Sequence, residues 1–132
     1  MTVCGIGVDI VEIERIRRAI ERFGERFLQR IYTAREIAYC TSFQDPYPHF
    51  AVRFAAKEAA MKALGVGLWS GIPWRDYEVI NLDSGEPRMR LSGKAQERAQ
   101  QRGVRRVWIS LSHHRTSAVA VVVMEGTPNV PP

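Results

Sequence analysis

Gly5-Ile6-Gly7-Val8-Asp9-Ile10-Val11-Glu12-Ile13 is the stretch on which the fold turns. Val3 to Val8 is apolar and β-branched, interrupted only by glycines, and reads as a buried strand with Asp9 at its C-terminal end. From Glu12 to about Arg30 the period becomes helical, with Ile13, Ile16, Ile20, Phe23 and Phe27 on one stripe. An aspartate beside a core adds nothing to stability, because an ionised carboxylate there must be paired or bind a cation. Asp9 therefore reads either as an N-cap for the helix that follows or as a ligand.

Working outward, Thr33-Ala34-Arg35-Glu36 has the capping-box spacing and starts a second short helix. Asp45-Pro46 opens a third, with Pro46 or Pro48 in its first turn, and Gly65 stops it after Leu64. Gly65 to Pro73 is a loop with an exposed Trp69. Strands are expected at Tyr77–Leu82 and Pro87–Leu91, joined by the turn Asp83-Ser84-Gly85-Glu86. Ser92 caps a polar helix ending near Gly103, and strands Val104–Leu111 and Ser117–Met124 close the chain. The order β-α-α-α-β-β-α-β-β indicates an α+β domain, helices packed on a mainly antiparallel sheet. One domain spans residues 1–125. A tail from Gly126 to Pro132, with three prolines and no periodicity, is expected to be disordered.

At 132 residues, 45% hydrophobic and 25% charged, the chain suits one soluble domain with its own core. No apolar stretch is long enough to span a bilayer, and Met1-Thr2-Val3-Cys4 carries no basic leader. Cys4 and Cys40 form neither a CxxC pair nor a disulfide framework, which fits a reducing, cytoplasmic setting. A formal charge of +5 favours an acidic partner. Nucleic acid, an anionic membrane, a phosphorylated cofactor and an acidic protein all qualify, and charge alone does not choose among them.

The second informative run is Arg53-Phe54-Ala55-Ala56-Lys57-Glu58-Ala59-Ala60-Met61-Lys62-Ala63-Leu64-Gly65, which sets one carboxylate and three cations on a helix rich in alanine. Such a helix packs closely, and its cations offer a surface to a phosphorylated ligand. Glu58 and Lys62 lie four apart on one face, as a surface ion pair or as part of a site. Asp9 and Glu58, two carboxylates with no histidine or cysteine cluster nearby in sequence, suit Mg²⁺ shared with substrate phosphates. Arg15, Arg18, Arg22 and Arg26 recur at helical spacing as a basic ridge, either a solvated face or a guide for an acidic protein helix. The ridge lacks the aromatic interleaving of a single-strand nucleic-acid site. Ser112-His113-His114 lies at a turn between strands, where an imidazole can contact phosphate or sit in solvent. No GxSxG elbow, Walker loop or HExxH is present.

Gly5-Ile6-Gly7-Val8-Asp9, followed by Arg53-Phe54-Ala55-Ala56-Lys57-Glu58 and Lys62, resembles the signature of 4′-phosphopantetheinyl transferases. The short chain and Ser110-Leu111-Ser112-His113 are similar to the small holo-[acyl-carrier-protein] synthase class. The resemblance runs from Gly5 to about Val123. It implies a 4′-phosphopantetheinyl transferase-like fold and transfer of 4′-phosphopantetheine from coenzyme A to a serine of an acidic apo acyl carrier protein. The other product is adenosine 3′,5′-bisphosphate, and the reaction supports fatty acid biosynthesis. It also implies a homotrimer with active sites at subunit interfaces.

By that resemblance Asp9 and Glu58 match magnesium ligands and Lys62 matches the catalytic lysine beside the pyrophosphate. The carrier serine would lose its proton to Glu58 or to a metal-ordered water. Arg53 and His113 match nucleotide-phosphate positions, and Gly65 belongs to the loop next to them. Pro87 matches a G-x-P hairpin near the adenosine from a neighbouring subunit. Arg15 and Arg22 match basic positions that meet the carrier, and Arg18 and Arg26 extend the patch. One position departs from the pattern: His114 stands where a threonine commonly follows the Ser-His pair. Two other classes use the same features. A non-catalytic module for acidic proteins would need only the ridge, and a metal-dependent nucleotide pyrophosphatase would use the carboxylates with water. Nucleic acid and membrane are not expected partners.

Overall fold

A single alanine-rich helix, α4 (Tyr47–Leu64), organises the molecule, which this computed structural model describes over residues 1–127. Before it come β1 (Thr2–Glu12), α1 (Ile13–Phe23), α2 (Glu25–Ile31) and α3 (Ala34–Thr41). After it come a 3-10 turn at Trp74–Asp76, β2 (Tyr77–Asn81), β3 (Pro87–Leu91), α5 (Gly93–Gln101), β4 (Val104–His113) and β5 (Ser117–Gly126). The strands form an antiparallel sheet in the order β1-β5-β4 and a separate hairpin, β2-β3. The α+β expectation holds, with the strands divided between two sheets.

Most of α4 is buried around its whole circumference, as expected of a helix whose alanines leave room for close neighbours. Its backbone lies directly on β1. A Cβ placed on Gly5 would overlap the Ala63 carbonyl, and one on Gly7 the Ala59 carbonyl. These glycines are there for helix-to-strand contact. The other side of the three-stranded sheet is left open. Paired residues share a face, so Ile6, Val8 and Ile10 of β1 stand beside Val123, Val121 and Val119 of β5, with Trp108 next to Val123. Ile6 is 67% exposed and Ile10 68%.

Several boundaries move. β1 runs to Glu12 because β5 pairs with it as far as Ser117, so Asp9 sits inside the strand opposite Ala120. Asp9 is therefore neither a strand end nor an N-cap; Glu12 occupies the cap position of α1 and makes no side-chain cap bond. The expected helix from Glu12 to Arg30 is two helices. Gly24 takes a left-handed φ of 58°, its N–H donates to Ile20 O, and the chain restarts as α2. The break leaves Phe23 exposed and ends its place in the apolar stripe.

The capping box at Thr33 and Glu36 forms as expected, and Gly65 caps α4 with φ 76°. Ser92 precedes α5 without a side-chain bond; instead the Asp76 carboxylate accepts from the Ala95 N–H at 3.3 Å. Gly126, assigned to the tail from sequence, closes β5 opposite Thr2 and Val104; residues 128–132 lie outside the described residues. Cys4 and Cys40 are free thiols, and burial pushes Cys40 up to about 12. No described helix is long and apolar enough to cross a membrane.

Candidate active site

Because side chains alternate along a strand, Gly5, Gly7 and Asp9 share the face of β1 that meets α4. The glycines bring helix and strand together, and Asp9 comes next on the same row. Lys62, in the last turn of α4, donates from Nζ to Asp9 Oδ1 at 3.1 Å and to the Val8 carbonyl at 3.0 Å. Glu58 sits one turn earlier on that helical face. Its carboxyl is held above the usual glutamate range by burial first and by the Asp9 charge second, with Arg15 and Lys62 opposing. Thus Asp9, Glu58, Lys62 and Arg15 of the basic ridge act on one another at one place.

The donor set suits a hard divalent cation. Two carboxylates repel each other across the gap that raises Glu58, and a cation between them removes that repulsion. No group of three or more histidine, cysteine, aspartate or glutamate ligands occurs among the described residues. Two carboxylates, with water and phosphate oxygens left to supply the remaining ligands, match magnesium better than zinc.

The three cations of α4 do not make one surface. Lys57 is fully buried; its ammonium donates to Glu36 Oε1 at 2.8 Å, to the Tyr77 carbonyl in a short bond, and faces the Trp74 carbonyl at 3.4 Å. Lys57 is a core ion pair, with no surface to offer a phosphate. Arg53 and Lys62 lie nine residues apart, half a turn out of phase on a helix of 3.6 residues per turn, and face opposite ways.

Arg53 serves a different cavity, of about 200 Å³, lined by Tyr39, His49, Asn81, Pro87 and His113 among others. Three of the expected cofactor-binding residues, Arg53, Pro87 and His113, thus come together within one chain. Arg53 is held from below: Nη2 donates to Asn81 Oδ1 at 2.5 Å, Nη1 donates to the His49 carbonyl at 3.2 Å, and the guanidinium lies 4.4 Å from the Tyr39 ring centre. Its Nε is buried with no hydrogen-bond partner. Gly65 lies apart from this cavity, at the far end of α4 beside Lys62. Its neighbour is Arg102, whose Nη1 donates to the Leu64 carbonyl at 2.6 Å.

Of the ridge, Arg15 and Arg22 are exposed, and Arg22 lies 5.2 Å from the Phe23 ring centre. Arg18 is paired with Glu14 at 3.4 Å. Arg26 belongs to α2, beyond the Gly24 break, and lines a cavity of about 270 Å³ with Phe23, Phe27 and Arg30. Tyr39, His49 and Asn81 carried no sequence signal: each comes from a different element, and only the packing of α3, α4 and β2 gathers them.

Residues 5–122 match the family model of the 4′-phosphopantetheinyl transferase superfamily. The chain belongs to that superfamily. A holo-[acyl-carrier-protein] synthase of Koribacter versatilis is 51% identical over 123 residues, 93% of this chain and 98% of that protein. The crystal structure of the holo-[acyl-carrier-protein] synthase from Neisseria meningitidis superposes with a TM-score of 0.83 at 35% identity, covering 93% of this chain and 98% of that one. The Helicobacter pylori synthase, solved in complex with coenzyme A, gives 0.81 at 33% identity, covering 91% and 99%. The phosphopantetheinyl transferase signature in β1 and α4 is thus carried on the fold of its family.

Proposed function

We propose that this protein transfers 4′-phosphopantetheine from coenzyme A to the serine of an apo acyl carrier protein. The convergence of Asp9, Glu58 and Lys62 across β1 and α4 carries this reading. Asp9 and Glu58 would hold Mg²⁺, which supplies charge neutralisation and polarisation at the pyrophosphate when bound. The carrier serine attacks the β-phosphorus. A new O–P bond forms, the bond to the bridging oxygen breaks, and adenosine 3′,5′-bisphosphate leaves. The serine proton passes to Glu58 or to a water held between the carboxylates. Lys62, with 54% of its side chain exposed, can turn from Asp9 towards the charge developing on the leaving phosphate.

The nucleotide end of coenzyme A belongs in the cationic cavity of Arg53, His113 and Pro87. Since Arg53 and Lys62 face opposite ways, one chain's acidic cluster is best completed by a second chain's cavity. The uncovered apolar face of the sheet, Ile6, Val8, Ile10 and their β5 partners, is the surface that would join copies, and a homotrimer closes it. Arg15, Arg18 and Arg22 would receive the acidic carrier, with Arg15 leading to Glu58. Fatty acid biosynthesis in the cytoplasm is the setting that such a carrier implies.

Intact-mass spectrometry of an apo carrier incubated with this protein, coenzyme A and Mg²⁺ tests the reading. The expected result is a gain of one phosphopantetheine, abolished by EDTA. Nucleotide release without carrier would point to a pyrophosphatase. Carrier binding with no modification and no need of Mg²⁺ would point to a binding module.

A further inference from the structure

The cavity at Arg53 holds a group that the transferase reading does not use. His49, in the first turns of α4, stacks on Phe43 with ring centres 3.7 Å apart and meets His113 of β4 edge-on at 5.9 Å. Tyr39 of α3 closes the other side at 6.3 Å. Both imidazoles line the same cavity as Arg53, whose buried Nε has no partner. The charged and titratable groups acting on His49 are Arg53 on its own helix, His113 from β4 and Asp45 from the loop before α4. Two cations or potential cations thus outnumber one carboxylate, and no carboxylate is among the residues lining the cavity.

We propose that His49 joins Arg53 and His113 in a phosphate cradle whose occupation by the nucleotide takes up a proton. The inference rests on the coenzyme A reading and adds to it a residue and a coupling. In the free protein, burial together with Arg53 and His113 keeps the His49 imidazole below its usual value, and so neutral at pH 7.5. A phosphate oxyanion in the cavity reverses the balance. It pairs with Arg53 and favours the protonated imidazole, an effect of about 1–3 pH units for an opposite charge within a few ångströms. The proton comes from buffer and no covalent bond changes. Binding should then strengthen as pH falls from about 8.5 towards 6.5. Below about pH 6 the gain ends, because a phosphomonoester itself takes up a proton there. Coenzyme A offers two sources of the oxyanion, its phosphomonoester and its pyrophosphate.

Isothermal titration of the full-length protein with coenzyme A at pH 7.5, in buffers of different ionisation enthalpy, reads the coupling directly. Uptake of about half a proton or more per site is expected. His49→Phe keeps the stack on Phe43 but cannot titrate, and should lose most of that uptake while still binding. His49→Gln serves as a second variant, with a thermal melt confirming the fold of each. Uptake with coenzyme A but not with dephospho-coenzyme A places the phosphomonoester in the cradle. Uptake with both places the pyrophosphate there, and either result supports the proposal. Coenzyme A binding with no proton uptake, or uptake unchanged in both His49 variants, overturns the proposal and leaves the transferase reading standing. No binding of coenzyme A at all overturns both.

Discussion

Lys57 and Glu58 are neighbours in sequence on one helix, one buried and one half-buried, and they show two opposite fates of a charge taken from water. Lys57 points into the core and finds everything an ammonium needs: Glu36 at 2.8 Å and backbone carbonyls around it. Glu36 is equally well served, accepting from the Thr33 N–H at 2.9 Å and the Val79 N–H at 3.0 Å. Glu58, one step round the helix, has the Asp9 carboxylate as a near neighbour and a raised pKa. One side of α4 is complete without a ligand; on the proposed function, the other would be completed by one. A satisfied charge marks architecture, and an unsatisfied one marks the site.

The comparison breaks most visibly at Lys57. Lys57→Met removes the cation and leaves Glu36 ionised in the core, which costs about 3–5 kcal/mol. Urea unfolding should show the loss as a lower midpoint. A normal midpoint would mean that Glu36 is held by its backbone donors alone.

Glu58→Gln should do the reverse. Phosphopantetheine transfer is expected to fall by about 10²–10³, as when a transition-state charge loses its partner. Metal-free stability near pH 7 should hold or rise. The sign follows from the raised pKa: the folded state favours the protonated carboxyl, so this contribution is present at low pH. It is lost as pH rises through the folded value. Thermal melts of wild type and variant in EDTA, from pH 4 to 8, should therefore draw apart in the variant's favour with rising pH. Adding Mg²⁺ should stabilise only the wild type appreciably.

The arginines of α1 sharpen the same contrast on the surface. Arg17 lies 2.5 Å from Glu14 and 3.4 Å from Glu21, and Glu14 is held low chiefly by that hydrogen bond. Among the described residues, Arg22 meets the Phe23 ring and makes no ion pair. Arg22→Glu should raise the carrier KM by about tenfold, with a steep salt dependence and little change in kcat. Arg17→Ala should change it by less than about twofold.

What sequence could show follows the same division. Local chemistry was legible: the Thr33–Glu36 box, the Gly65 cap, the β2-β3 hairpin and, apart from the helix break at Gly24, the order of elements depend on neighbours a few residues apart. So was the pairing of Asp9 with Glu58, because a family signature names both. Lys57 was misread as a ligand surface because helical spacing gives angle but not depth. The core position of Glu36, 21 residues away, depends on tertiary packing. Asp9 was misread as a strand end because β5, more than 100 residues on, decides how far β1 extends. His49 was invisible for a similar reason, since a lone histidine gains meaning only when β4 brings His113 to it.

A modest gain is expected at His114. It follows the last residue of β4, its backbone N–H donates to the Ser117 carbonyl at 3.0 Å, and its ring is exposed. The His114 ring adds only a long contact, Nδ1 accepting from the Thr116 N–H at 3.5 Å, so the turn is held mainly by backbone and His114→Thr should change stability little. The motif that this stretch resembles has a threonine hydroxyl where this chain has an imidazole. One neutral hydrogen bond is worth about 0.5–1.5 kcal/mol. The substitution should therefore lower the coenzyme A KM by about twofold to tenfold, measured with carrier in excess. No change would mean that the Arg53 and His113 cavity already binds the nucleotide without help from this position. A rise in KM would mean instead that the His114 imidazole has itself taken over the missing contact.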